Sequence, residues 1–278
     1  MNIQIMKVYN ESFQNVRSHK LEWMRVAFGP VLIWAIGALI LGMAYVSGGH
    51  SFQIDKAFMG AEVYTGATNQ GSAFLAIAHG IYMITYFIAI ISLYINGYRY
   101  ALLQEGGDQW LTLQLNMRFV KFCLYSLLIG ILGGIYIAIA AGIIIGAHAL
   151  IANTGVNVIL GILFFLFAFY LMFRIVLYPV LISIDQAEPI RTSWGLMKGN
   201  VLRFIGLSLL IMFTIFLIGI IGVVVLMVIG GIFSLVGPIF TGLIVILGLI
   251  FAVFMTLLAW AVNSKMMGLI YQELSAKK

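Results

Sequence analysis

The 278 residues include a single cysteine, Cys123, and only 9% charged side chains. One thiol excludes an internal disulfide and a cysteine-built metal site. The low charge excludes a water-soluble exterior. Soluble domains carry about a quarter charged residues, because solvent-facing area needs polar cover. Also missing are HExxH, GxSxG, a phosphate-binding P-loop and any clustered His/Asp/Glu set within an apolar run. His50, His79 and His148 are scattered without common spacing. No catalytic residue, metal or cofactor is therefore expected. The carboxylate pairs Glu105/Asp108 and Asp185/Glu188 read as charge-balanced helix starts beside basic residues. The net charge of +6 reads as an orientation signal in a membrane protein, so no nucleic-acid partner is expected.

Apolar residues, at 63%, fill the space that charge leaves. A helix needs about 20 apolar residues to cross the hydrocarbon core, and six runs qualify: 28–47, 74–96, 119–147, 157–180, 202–229 and 239–262. They do not alternate polar with apolar, and in lipid a helix satisfies its own backbone. The prediction is an all-α polytopic membrane helix bundle. It comprises a cytoplasmic amphipathic N-terminal segment (1–27), a six-span domain (28–262) and a cytoplasmic C-terminal tail (263–278). The N-terminus lacks the short basic region and cleavage site of a signal peptide. Of the fifteen Lys and Arg residues, only Lys56 falls on the opposite side and Arg174 within a span, so the positive-inside rule places both termini in the cytoplasm.

A shift of eighty residues superposes Tyr98 on Tyr178, Glu105 on Asp185, Asp108 on Glu188 and Arg118 on Lys198. This suggests three hairpin-like repeats, each an amphipathic lead-in helix at the interface followed by two spans. The clearest lead-in begins at Pro189, which suits a first helical turn. Ile190, Trp194, Met197 and Val201 then recur at helical spacing. Trp194, with Trp23 and Trp110 in the comparable positions, is predicted to anchor the interface. In the third span Gly130, Gly134, Ala138, Gly142 and Gly146 recur every fourth residue. Small residues at that spacing admit a close neighbour, either another helix of the chain or a second copy in a homo-oligomer.

The run from Arg174 through Tyr178-Pro179, Asp185 and Pro189 to Ser193-Trp194-Gly195-Leu196-Met197-Lys198-Gly199-Asn200 resembles a pattern in bacterial membrane proteins of the YciC type. It is also similar to the membrane domain attached to some glycerophosphodiester phosphodiesterases. The resemblance covers about thirty residues and implies bacterial inner-membrane residence and architecture, with no phosphodiesterase domain present. The expected function is non-enzymatic: binding of anionic membrane lipid, or of a protein partner on the cytoplasmic face, in membrane or envelope homeostasis. The candidate lipid- or anion-binding residues are Arg174, Lys198 and Arg203, with Asp185 as the competing partner for Arg174. The alternative is a small transporter, which would need a polar chamber lined by Arg174, Asn96 and Ser208.

Overall fold

The computed structural model describes residues 3–47, 69–151, 153–234 and 238–276. Lys56, His50, Lys277 and Lys278 lie outside them, as does most of the first outer loop. The described residues contain helices and no strand: α1 (Ile5–Ser18), α2 (Lys20–Ser47), α3 (Asn69–Leu103), α4 (Met117–Ile151), α5 (Thr154–Arg174), α6 (Tyr178–Ser183), α7 (Pro189–Leu196), α8 (Val201–Ser234) and α9 (Pro238–Ser275). Six helical segments are long and apolar enough to cross a membrane, the fourth being α5 continued through α6. The chain is a multi-pass membrane helix bundle.

Consecutive spans pair as antiparallel hairpins. In the first, Tyr45 meets His79, Gly37 meets Thr85 and Val26 meets Asn96. In the second, Tyr136 donates to the Phe164 carbonyl and packs on Phe167. In the third, Gly222 meets Phe251 and Gly230 meets Ile244. A seam between α3 and α9 joins the first hairpin to the third. There a Cβ on Gly97 would stand 2.7 Å from both Ser264 Oγ and the Trp260 ring.

The main core lies at the end that carries both termini. Trp23, Tyr100, Leu177, Leu181, Met197, Leu207, Met266, Ile270 and Leu274 are all buried there. The outer stretches of α4, α5 and α8 show apolar side chains to their surroundings, which lipid tolerates and water would not.

Five expectations change. Trp23 is only 3% exposed and sits edge-on to Tyr100 and Trp260; it is a core residue, because α1 and α9 cover the face that would otherwise meet headgroups. Residues 263–275 are no free tail but the last turns of α9, with Met266, Ile270 and Leu274 buried.

The N-terminal segment is amphipathic, as its Val8/Ser12/Val16 stripe requires. That stripe is buried against α9 and α8 rather than lipid. Ile3 N–H donates to Asn200 Oδ1 at 3.2 Å and Gln4 N–H to Glu273 at 3.1 Å, fixing it in place.

No helix leads into the third span. Residues 111–115 have no regular secondary structure, and Leu111, Leu113 and Leu115 are exposed while Thr112 and Gln114 are half-buried. Alternation at period two is the signature of an extended segment, not a helix, and this strap follows it.

Among the described residues, the glycine ladder faces no helix of this chain. A Cβ at Gly130, Gly134, Gly142 or Gly146 would meet nothing within 4 Å, and Ala138 is exposed. Close approach occurs instead at Gly97 and Gly37, where side chains of the facing helix, Trp260 with Ser264 and Thr85, fill the space glycine leaves.

Candidate functional site

Three groups of polar residues meet at the termini-bearing end. The first is an ionic latch. Arg118 grips Asp185 with two nitrogens, Nε at 2.9 Å and Nη2 at 2.7 Å from Oδ2. Arg99 donates to the Ser183 carbonyl at 2.6 Å, pairs with Glu105 and lies 3.9 Å from Asp185. The latch ties the turns after α3 and α6 to the start of α4. Both turns reverse through a left-handed residue, Gln104 (φ 59°) and Asp185 (φ 61°), and the carboxylates of both turns, Glu105 and Asp185, lie beside Arg99. The bidentate Arg118 bond, reinforced by the charges of Arg99 and Lys121, holds the Asp185 carboxyl below the usual carboxylate range, with partial burial opposing it. Asp185 is therefore not the partner of Arg174.

The second group surrounds Arg174. The fourth span breaks after it. α5 ends at Arg174, and the chain turns through 175–177 before Pro179 opens α6. Ser193, fully buried on α7, accepts from Leu177 N–H at 3.1 Å and donates to the Arg174 carbonyl at 3.2 Å. It thus satisfies backbone groups that the break takes out of the helix. Its neighbour Trp194 lies beneath the guanidinium, with Arg174 Cζ 4.4 Å from the ring centroid. Tyr170 donates its ring face at 5.8 Å and accepts from Nη1 at 3.2 Å. The Ser-Trp pair thus has two tasks, one on the backbone of Arg174 and one on its side chain.

Arg174 is only 6% exposed, yet its Nε has no hydrogen-bond partner, and among the described residues it has no ion pair. Lys198 is exposed one turn beyond Trp194, and Arg203 is half-buried in the first turn of α8. Phe173 packs on Phe204 with centroids 5.6 Å apart, so the chain neighbours of Arg174 and Arg203 touch. Trp194 is 41% exposed and Trp110 46%; each carries an arginine on its face, Arg174 and Arg25 respectively. Met197 and Val201, expected beside Trp194 in the headgroup layer, are instead buried in protein.

The third group was not foreseen from the sequence. A cavity of about 710 Å³ lies between the ends of α2 and α3 and the loop 104–114, lined by Arg25, Asn96, Arg99, Asp108 and Thr112 among others. Arg174 and Ser208 lie outside its lining, so the chamber a transporter reading required is not assembled from those three residues. The alternation of residues 110–116 was the one local signal pointing to this wall. The cavity itself depends on contacts between residues some seventy apart.

Comparison with protein-family models, with curated proteins and with solved structures finds no match to this chain.

Proposed function

We propose that this chain is a non-enzymatic bacterial inner-membrane protein that holds anionic lipid headgroups at Arg174, with Lys198 and Arg203 as flanking cations. One observation carries the reading: a guanidinium 6% exposed, without a carboxylate partner among the described residues and with Nε unpartnered. A buried charge left unpaired is expensive, and cation–π contact offsets only part of that. A lipid phosphate at the interface supplies the missing anion, and the guanidinium fork matches its oxygens. Exposed Lys198 and half-buried Arg203 add attraction of roughly 1 kcal/mol each near an anionic surface.

The orientation follows from the distribution of cations. With Lys and Arg gathered at the termini-bearing end, that end faces the cytoplasm, and a reporter fused after Lys278 reads as cytoplasmic. The resemblance of the Arg174–Asn200 run to YciC-type proteins supports the same membrane.

Native mass spectrometry of wild type, Arg174→Gln and Arg191→Gln tests the reading; Arg191 is exposed and paired with Glu188 at 3.1 Å. Loss of co-purified anionic lipid in Arg174→Gln alone, with the helical spectrum unchanged, supports the site. Equal retention in all three overturns it and leaves Arg174 as a stacking partner for Trp194.

A further inference from the structure

The cavity beside α2 is distinct from the Arg174 group and holds its own unsatisfied chemistry. Three polar atoms on its walls are buried without partners: Arg25 Nε, Asn96 Oδ1 and Thr112 Oγ1. Asn96 is 3% exposed. Its Nδ2 is committed twice, to the Val26 carbonyl at 3.3 Å and the Thr112 carbonyl at 2.8 Å. That fixes the amide and leaves Oδ1 as an acceptor with nothing to accept.

The charges on the walls sort in the same way. Arg99 is consumed by Glu105 and the Ser183 carbonyl, and Glu22 accepts from the Tyr100 hydroxyl. Arg25 has only a long 3.4 Å bond to the Gly107 carbonyl and the face of Trp110. Among the described residues neither Arg25 nor Asp108 forms an ion pair. What remains for a ligand is one guanidinium donor, one amide acceptor, one hydroxyl and two carboxylates that lack a cation among the described residues, Asp108 and the Tyr100-bonded Glu22, in a space of metabolite size.

We propose that this cavity binds a zwitterion, with an oxyanion held by Arg25 and Thr112 and an ammonium group held by Asp108 and Asn96 Oδ1. The complementarity is one of charge and direction. A plain anion leaves Asn96 Oδ1 and Asp108 unanswered, and a plain cation leaves Arg25 so. An oxyanion joined to an ammonium by a short linker answers all of them. That chemistry occurs in free amino-acid-like or phosphoethanolamine-like molecules and in the headgroup of phosphatidylethanolamine.

The test is calorimetric titration of the full chain with O-phosphoethanolamine, inorganic phosphate and ethanolamine, in nanodiscs of phosphatidylglycerol, whose headgroup has no ammonium. Binding of phosphoethanolamine well above either half is expected. Asp108→Asn, at an exposed and unpaired position that leaves the fold intact, weakens it about tenfold or more, the loss of one charge-assisted contact. Arg25→Gln does the same, checked for folding by its thermal transition. Repeating the titration in phosphatidylethanolamine nanodiscs separates the sources: suppressed binding identifies the headgroup as occupant, and unchanged binding identifies a soluble zwitterion. Equal binding of phosphate alone, no effect of Asp108→Asn, or no binding of any probe overturns the proposal and leaves a cavity whose polar atoms are satisfied by water.

Discussion

Asn96 donates to the carbonyl of Val26 across the first hairpin at 3.3 Å, and Val26 is the residue whose helical partner would be the missing N–H of Pro30. Proline inside a helix removes the bond to the carbonyl four residues earlier, and a buried carbonyl left alone is costly. Asn96 fills that vacancy and with the same nitrogen holds the Thr112 carbonyl of the strap. Asn96→Ala therefore strands two carbonyls and costs about 1–3 kcal/mol. In a Pro30→Ala background, the restored N–H serves Val26 and the same substitution costs less. A double-mutant cycle of thermal stability in detergent measures this coupling. Additive effects would mean Asn96 and the proline act separately.

Glycine matters at the α3–α9 seam and not along the ladder. Gly97→Val drives a side chain into Trp260 and Ser264, 2.7 Å from where its Cβ must stand, and overpacking of this kind costs roughly 1–3 kcal/mol. Gly134→Leu and Gly142→Leu meet open space and leave the monomer's thermal transition unchanged. A large loss in either ladder variant, with the oligomeric state unchanged, would contradict the outward placement of α4's glycine face.

The Arg118–Asp185 pair makes stability depend on pH on the acid side. Its carboxyl is held below the ordinary value, chiefly by the Arg118 hydrogen bonds. The folded state therefore gains stability that is complete above the unfolded pKa of about 3.9. That gain is lost as pH falls through the lower folded value. Asp185 is 49% exposed in its side chain, so the effect is that of a partly solvated pair, about 1 kcal/mol or less. Asp185→Asn lowers the melting temperature at neutral pH and narrows its gap to wild type as pH drops toward 3, which a pH series of thermal melts reads directly. A gap that widens on acidification would show that Asp185 is not the titrating group.

The spans were legible because lipid imposes a length and a composition that six runs meet. The break in the fourth was signalled by Pro179, yet its apolar neighbours concealed it inside a continuous run. Trp23 could not be told from an interfacial tryptophan, since its amphipathic ring suits both a headgroup layer and a core; only the docking of α1 and α9 decides. The glycine ladder shows that a helix can be approached, never that it is. For the candidate site, Arg174, Ser193 and Trp194 stood out as a motif, and the structure joins them through contacts that spacing alone does not specify. The cavity needed Arg25, Asn96 and Thr112 to be brought together from three segments, and no local pattern encodes that.

The strap itself gives the last prediction. Residues 110–116 read W-L-T-L-Q-L-N, and the alternation is realised: Leu111 is 71% exposed and Leu115 61%, while Thr112 turns its carbonyl to Asn96 and Gln114 N–H donates to Ser92 Oγ at 3.4 Å. Gly29 makes this possible, because a Cβ there would stand 3.1 Å from the Thr112 nitrogen. With Cys123 replaced by Ala, single cysteines placed at positions 111 to 115 should report the pattern. A lipid-phase thiol reagent should modify Leu111→Cys, Leu113→Cys and Leu115→Cys several-fold faster than Thr112→Cys or Gln114→Cys, because odd and even side chains of an extended segment face opposite ways. Gly29→Val should abolish the difference by pushing the strap off α2. Reactivity recurring every three to four residues instead would restore the amphipathic helix predicted for this position and remove the inner wall on which the zwitterion cavity depends.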